Sequence, residues 1–202
     1  SGPGVTDVVT AVAKGLGTLY NLKVAFKKRD PPGPCDGGAA SNGADLMDAL
    51  DWAVFNTPAR IFNWSYGFSG DSDYPPTARL LDAVADQYGI LLVVPAGNSG
   101  PESFTLDASA SAYNVISVAA FDDRNTIDRS DDLIAPFSSR GPTKAGRYKP
   151  DVAAPGFKIW APGRTANDYR DSYGTSVAAP HVAGAAVLLL SLIHISEPTR
   201  PY

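Results

Sequence analysis

This sequence is poor in cysteine, histidine and charge. Of its 202 residues, one is cysteine, two are histidine and 19% are charged, with a formal net charge of -4. The single cysteine, Cys35, excludes an intrachain disulfide, and no neighbouring histidine suggests a zinc site or thiol catalysis. Because the cationic residues form no basic stripe, nucleic acid is not an expected partner.

Long apolar runs are missing as well. No uninterrupted run of eighteen apolar residues occurs, so a membrane partner is not expected either. No signal peptide stands at Ser1, which says nothing about export if the chain is truncated. Hydrophobic residues nevertheless make up 44% of the chain, and its length suffices for one domain with a substantial core. We expect a globular monomer.

Short β-branched runs alternate with segments of helical spacing. This alternation is typical of a parallel sheet covered by helices on both faces. The predicted strands are 19–26, 59–66, 90–95, 113–120 and 133–137, with short extended pieces at 158–160 and 168–173. Helices are predicted around 46–54 and 80–88, and a surface loop at 30–43. The expected fold class is therefore α/β, with three layers and a mostly parallel central sheet.

The most informative segment is Gly174-Thr175-Ser176-Val177-Ala178-Ala179-Pro180-His181-Val182-Ala183-Gly184. Pro180 fits a first helical turn, so the helix is predicted to begin near Ser176. The free N–H groups and positive dipole end would then lie beside the Ser176 hydroxyl and stabilise a developing oxyanion. The structural alternative is a serine that caps an alanine-rich core helix.

This segment resembles the nucleophile motif of the subtilisin-like serine peptidases. The resemblance implies that Ser176 is the catalytic nucleophile of a serine endopeptidase that forms an acyl-enzyme. His181 belongs to the motif, but it lies about 140° around the helix from Ser176. It is therefore interpreted as a packed, hydrogen-bonded histidine and not as the general base.

A second segment, Pro95-Ala96-Gly97-Asn98-Ser99-Gly100, follows an apolar strand, where open α/β sheets place ligands. By resemblance, Asn98 is the side-chain donor to the oxyanion, and Ala96 and Gly97 line the substrate cleft. The alternative is a simple turn, because asparagine and glycine tolerate positive φ.

A third segment, Asn63-Trp64-Ser65-Tyr66-Gly67, is similar to the family's Asn-x-Ser-Leu-Gly segment. That resemblance implies that Ser65, Tyr66 and Gly67 bind substrate as an added strand and line the pocket for the residue before the scissile bond. Tyr66 replaces the usual leucine. For Trp64, an aromatic strand end packed in the core is the competing interpretation.

The resemblance covers residues 14–189, and the segments 109–118, 137–142 and 149–156 match it with structural roles only. A serine nucleophile also needs a histidine base and an orienting carboxylate. The family's Asp and His motifs do not occur in this sequence. We therefore expect that the amino-terminal part of the catalytic domain has been lost, and that the chain as given is nearly inactive.

Two other functions are compatible with parts of the sequence. A peptide-binding pseudopeptidase would explain the missing triad members, but it would not need Ser176 and Asn98. An α/β-hydrolase esterase would require Asn63 to Gly67 to serve as a degenerate nucleophile elbow, with a helix directly after the serine. The polar residues that follow Gly67 argue against such a helix.

The carboxyl end carries a different kind of signal. Residues 190–200 resemble a translated sequencing adapter and should be excluded from fold reasoning. The predicted organisation is a partial catalytic domain at 1–189 and a non-native tail at 190–202. His194, in that tail, is not offered as a base.

An acidic loop holds Asp122, Asp123, Asp128, Asp131 and Asp132. Its spacing does not match an EF-hand loop, so solvated carboxylates are the preferred interpretation and no metal ligands are assigned. The family resemblance implies a polypeptide substrate and secretion, and it leaves calcium as the one cofactor to consider.

Overall fold

The computed structural model describes residues 19–20, 26–27, 39–40, 43–67, 73–163 and 168–196, and the largest sheet among them has five strands. The described residues fall into two compact units, one ending at Ala59 and the other starting at Arg60. The first unit contains strands β1 (Phe26–Lys27) and β2 (Ala39–Ala40), which pair antiparallel, and helix α1 (Gly43–Asn56). Helix α1 confirms the helix predicted around 46–54.

The second unit contains the remaining elements. In chain order they are β3 (Ile61–Asn63), α2 (Pro76–Tyr88), β4 (Leu91–Pro95), β5 (Val115–Asp122), β6 (Leu133–Ile134), β7 (Val152–Pro155), β8 (Ile159–Pro162), β9 (Tyr169–Ser172) and α3 (Thr175–Ser196). Strands β3, β4, β5 and β7 pair in parallel, β6 joins β5 antiparallel, and β8 and β9 form a separate antiparallel pair. The parallel sheet was predicted, but β7 was not.

The sheet is covered on both faces. Val93 of β4 packs in one apolar cluster with Val118, Ala120 and three alanines of α3, namely Ala178, Ala179 and Ala183. Side chains alternate across a strand, so Leu92 and Val94 point to the opposite face, and both are fully buried there. Helix α2 packs on β4 and β5. The three layers are thus α3, the sheet and α2.

Helix α2 has clear boundary signals. It starts at Pro76, where proline's fixed φ suits a first helical residue, and it ends at Gly89 in the left-handed conformation with φ +58°. Inside the helix, the buried carboxylate of Asp82 accepts hydrogen bonds from Tyr74 Oη at 2.7 Å, from Tyr113 N at 3.0 Å and from Asn114 N at 2.6 Å. Asp82 thereby ties α2 to the chain that leads into β5.

Helix α3 packs on the sheet and has an unusually apolar composition. By length and composition alone, the stretch Thr175–Leu192 would also be able to cross a membrane. Buried core helices of soluble proteins pass the same test, and the first turns of α3 do pack on the sheet.

Several sequence predictions concern residues outside the described part of the chain. They are most of the strand at 19–26, most of the loop at 30–43, the residues around Cys35, and the polar residues 68–72 that follow Gly67. The strand predicted at 59–66 is shorter in the structure, and the extended pieces near 158–160 and 168–173 are the paired strands β8 and β9.

Candidate active site

Ser176 lies at the start of α3, one residue after the helix begins at Thr175. Gly174 leads into the helix with φ +138°, a conformation that residues with a Cβ rarely adopt. Its carbonyl accepts hydrogen bonds from Val177 N at 3.0 Å and Ala178 N at 3.3 Å, which fixes the first turn. Glycine is therefore required immediately before this serine turn.

The Ser176 N–H is a free donor of the first helical turn. The first N–H groups of a helix have no acceptor within the helix. Here the N–H of Thr175 donates to Asn98, and those of Val177 and Ala178 donate to Gly174. Within the described part of the chain, the Ser176 N–H has no acceptor.

Asn98 stands in the loop after β4 and faces the same turn. Its Oδ1 accepts hydrogen bonds from Thr175 N at 2.9 Å and from Thr175 Oγ1 at 3.1 Å. Two donors on Oδ1 fix the orientation of the amide, so Nδ2 is left as an available donor. The position that a Cβ on Gly174 would occupy is 3.6 Å from Asn98 Nδ2 and 3.1 Å from Ser176 Oγ. The amide donor and the serine hydroxyl therefore converge on one point.

Thr175 holds this arrangement together, and the sequence reasoning gave it no role. Its side chain is fully buried, and its Oγ1 both donates to Asn98 Oδ1 and accepts from Gly97 N at 3.2 Å. Thr175 thus fixes the loop after β4 against the start of α3. Its position beside Ser176 in the motif was the only sequence signal for this role.

The segment after β3 contacts the serine turn through Ser65. Ser65 Oγ donates to the carbonyl oxygen of Ser176 at 3.1 Å and accepts from Asn63 Nδ2 at 2.7 Å. In a regular helix that carbonyl would accept from the N–H of residue 180, but Pro180 has none. The Ser65 hydroxyl supplies the missing donor.

Pro180 therefore occupies a different turn from the one predicted. The helix does begin within one residue of Ser176, as expected, but Pro180 is in the second turn and not the first. It removes one intrahelical hydrogen bond there. The Ser65 contact to the Ser176 carbonyl compensates for this loss.

The remaining predicted cleft residues differ in accessibility. Ala96 is fully buried, and its N–H and carbonyl bond to Val118 O and Asp107 N. Gly97 is buried too, and its carbonyl accepts from Ser139 N. Both residues would therefore act on a substrate only through the shape of the wall. Tyr66 is half-buried and Gly67 is exposed.

Trp64 belongs to the core and not to the pocket wall. Only 9% of its surface is exposed, and its backbone N–H donates to Val93 O at 2.8 Å. This outcome matches the competing interpretation of an aromatic strand end. The following three residues, up to Gly67, form no helix. The helix that an esterase elbow requires directly after Ser65 is thus missing from these residues.

Asp107 lies between the two predicted cleft segments, and the sequence assigned it no role. Its carboxylate lies between Gly67 and Gly97: a Cβ on Gly67 would clash with Oδ2, and one on Gly97 would be 2.7 Å from Oδ1. Burial raises the pKa of this carboxyl to about 6. No sequence signal marked Asp107, because its surroundings come from two distant segments.

The base of a serine triad is not found in the described part of the chain. His181 is the only histidine with a described side chain, and its Nδ1 lies 3.0 Å from Val177 O in its own helix. This contact agrees with the packed histidine that was predicted. The structure therefore brings together Ser176, Asn98, Ser65, Gly67 and Gly97. Among the described residues, it places no histidine base beside Ser176.

The acidic loop gives no sign of a calcium site. Asp122 Oδ1, Asp123 Oδ1 and Asp128 Oδ1 accept hydrogen bonds from backbone N–H groups two residues ahead, and Asp131 Oδ1 accepts from Thr126 Oγ1. Among the described residues, no group of three or more His, Cys, Asp or Glu side chains is arranged to hold a metal ion.

Comparison with known proteins decides the family. The model of the subtilase family, peptidase group S8, matches residues 4–200. The chain belongs to the subtilase family. The members of this family are serine peptidases, and their fold agrees with the three layers seen here. The match runs past Leu190, so by itself it marks no boundary there.

Relatives of this subtilase chain are peptidases from distant organisms. Serine protease AprX of Bacillus subtilis (strain 168) is 37% identical over 171 residues, which cover 73% of this chain and 38% of AprX. The membrane-bound transcription factor site-1 protease of Homo sapiens is 33% identical over 162 residues, which cover 77% of this chain and 14% of that protein. The subtilase chain thus spans well under half the length of these relatives.

Solved structures give the same result. The prenylagaramide maturation protease PagA superposes with a TM-score of 0.65 at 30% identity, over 80% of this subtilase chain and 54% of PagA. A psychrophilic protease, S41, superposes with a TM-score of 0.61 at 29% identity, over 80% of this chain and 53% of S41. The subtilase chain spans about half of each structure.

Proposed function

We propose that this chain is the serine-bearing part of a subtilase endopeptidase. The observation that carries the proposal is the convergence of Ser176 Oγ and Asn98 Nδ2 beside Gly174. Pocket-lining roles for Ser65, Tyr66, Gly67, Ala96 and Gly97 are part of the same proposal.

The chemistry follows from the donors at this point. Ser176 Oγ attacks the peptide carbonyl, its proton passes to a histidine base, and a C–O bond forms. The oxyanion accepts hydrogen bonds from Asn98 Nδ2 and the Ser176 N–H, both fixed before substrate arrives. The C–N bond then breaks, the amine leaves with the proton, and water hydrolyses the acyl-enzyme.

The histidine and its carboxylate are proposed to come from sequence upstream of Ser1. We call the chain together with this upstream sequence the extended protein. Loss of the histidine alone lowers kcat by a factor of about 10⁶ in a subtilase. The 202-residue chain is therefore expected to hydrolyse peptides about a million times more slowly than the extended protein. A residual activity of about 10³–10⁴ over water is expected from the oxyanion donors and binding.

Fluorophosphonate labelling tests the nucleophile. The reagent forms an Oγ–P bond with loss of fluoride, and the extended protein should label at Ser176 as read by peptide mass spectrometry. Ser176→Ala should abolish labelling, whereas Ser130→Ala, at an exposed serine in a short 3-10 helix, should not change it. If the extended protein carries both triad motifs and Ser176 stays unlabelled, the proposed endopeptidase function is wrong.

The upstream sequence also distinguishes an endopeptidase from a peptide-binding pseudopeptidase. A gene whose upstream region holds no Asp and His motifs, together with peptide binding by its product, would favour binding without cleavage. A polypeptide substrate and secretion are further parts of the proposal. Activity that stays with the cells instead of the medium would contradict secretion.

A further inference from the structure

The wall of the proposed cleft contains a negative charge. The Asp107 carboxylate touches Gly67 on one side and Gly97 on the other, and these glycines belong to the two segments that flank Ser176. Gly67 lies two residues after Ser65, which bonds to Ser176 O, and Gly97 directly precedes Asn98. Since adjacent residues are about 3.8 Å apart, the carboxylate is within a few residue lengths of the serine turn.

Both glycines leave space that a side chain would otherwise fill. A Cβ at Gly67 would collide with Oδ2, and a Cβ at Gly97 would lie 2.7 Å from both Asp107 Oδ1 and Ser139 Oγ. Contacts under 3.0 Å require something to shift. The carboxylate therefore has room only because both neighbouring positions are glycine.

The carboxylate has no partner inside the described part of the chain. No described residue donates a hydrogen bond to it or pairs with it as a cation, and burial is the only cause of its raised pKa. It is nevertheless half-buried, and neither oxygen is sealed from solvent. A partly buried, unpaired carboxylate favours a cation that reaches it from outside.

We propose that Asp107 makes the cleft select lysine or arginine as the residue before the scissile bond. This inference rests on the proposed function. Lysine and arginine carry a cation on a long, flexible stem, so the charge reaches the carboxylate while the backbone stays beside Ser176. An apolar side chain in the same position would bury the carboxylate without a partner.

The test compares peptides that differ only in the residue before the scissile bond. With the extended protein, kcat/KM for arginine and lysine peptides should exceed that for the phenylalanine peptide by at least about tenfold. Asp107→Asn should remove most of this preference by lowering kcat/KM on the basic peptides only. Asp86→Asn, which removes an exposed charge on α2, should leave the ratio unchanged.

A wild-type pH profile gives an independent measurement, in case Asp107→Asn folds poorly. The ratio of kcat/KM on arginine to that on phenylalanine cancels the titration of the general base, because both peptides share it. The ratio should fall as the pH drops through about 6, where the carboxyl becomes neutral. A preference for phenylalanine, a flat ratio, or equal losses on all peptides in Asp107→Asn would overturn the selectivity.

Failure of the underlying function gives a different result. If Ser176 is unlabelled and no peptide is cleaved, the endopeptidase is wrong, and binding then tests the selectivity. Peptides that end in arginine should bind the 202-residue chain more tightly than those that end in phenylalanine, as measured by NMR titration. Asp107→Asn should abolish that difference, and equal binding would overturn the inference.

Discussion

Thr175 illustrates how one buried hydroxyl can position another residue's amide. It contacts no reacting atom in the proposed mechanism, yet its hydroxyl donates a hydrogen bond to Asn98 Oδ1 and accepts one from Gly97 N. Its effect on catalysis would therefore pass through Asn98. This makes Thr175 a positioning residue.

A double-mutant cycle measures that dependence. Asn98→Ala in the extended protein should lower kcat by about 10²–10³, since one oxyanion donor is lost. Thr175→Val should lower kcat by about tenfold with little change in KM, and Thr175→Ser should restore most of the loss because it keeps the hydroxyl.

The two effects should not add. In the Asn98→Ala background, Thr175→Val has no amide left to orient, so it should change kcat by less than about twofold. Independent, multiplicative losses in the double variant would show that Thr175 acts by another route. Far-UV circular dichroism of each variant controls for folding.

Local motifs mark some residues of the proposed site and not others. Ser176 and Asn98 are marked by local motifs, and the structure does bring them together. Asp107 has no motif, because its environment is made by Gly67 and Gly97 from other segments. Local patterns identify residues whose neighbours are close in sequence, whereas long-range packing defines the rest.

At the scale of elements, the strength of the apolar pattern decided what could be predicted. Strand β4 is a continuous buried run and was predicted to within one residue. Strand β7 is only four residues long, ends in Pro155 and has two exposed positions among its first three residues, so it lacked a strand pattern. It is a strand because it pairs with β5, which no local signal shows.

Helix α2 allows a prediction about stability. Asp82→Ala would leave the N–H groups of Tyr113 and Asn114 without their acceptor, at a site where Asp82 is only 6% exposed. The free energy of unfolding should fall by about 3 kcal/mol. Asp86→Ala on the exposed side of the same helix should change it by less than about 0.5 kcal/mol.

Urea denaturation of both variants provides the measurement. The slope of the free energy against urea should stay the same, so that the shift in midpoint reports stability alone. Equal midpoints for Asp82→Ala and Asp86→Ala would show that the three hydrogen bonds to Asp82 contribute little to this fold.

At the scale of the whole molecule, the tail at 190–202 remains a prediction. Helix α3 runs through Leu190 to Ser196 without a break, and the helical backbone alone does not show where native sequence ends. The residues of α3 in the apolar cluster all precede position 184, whereas Leu188, Leu189, Leu190 and Leu192 are exposed.

Truncation after Leu189 therefore should cost little. Among the described side chains, those that truncation removes from α3 do not belong to the apolar cluster. The thermal unfolding midpoint should therefore stay within about 2 °C of that of the full chain. Nucleotide reads should independently show adapter sequence from about Leu190. Reads that continue with other coding sequence would contradict the adapter, and a large drop in midpoint would show that the tail stabilises the fold.

Proline at position 180 has a consequence for how substrate and nucleophile influence each other. Because the Ser176 carbonyl depends on the Ser65 hydroxyl, the segment proposed to pair with substrate is also bonded to the residue proposed to attack it. Occupancy of the cleft and the position of the serine are then linked equilibria. If substrate pairing in the cleft stabilises one position of Ser176, an acyl group that holds Ser176 in that position must stabilise pairing in the cleft by the same free energy.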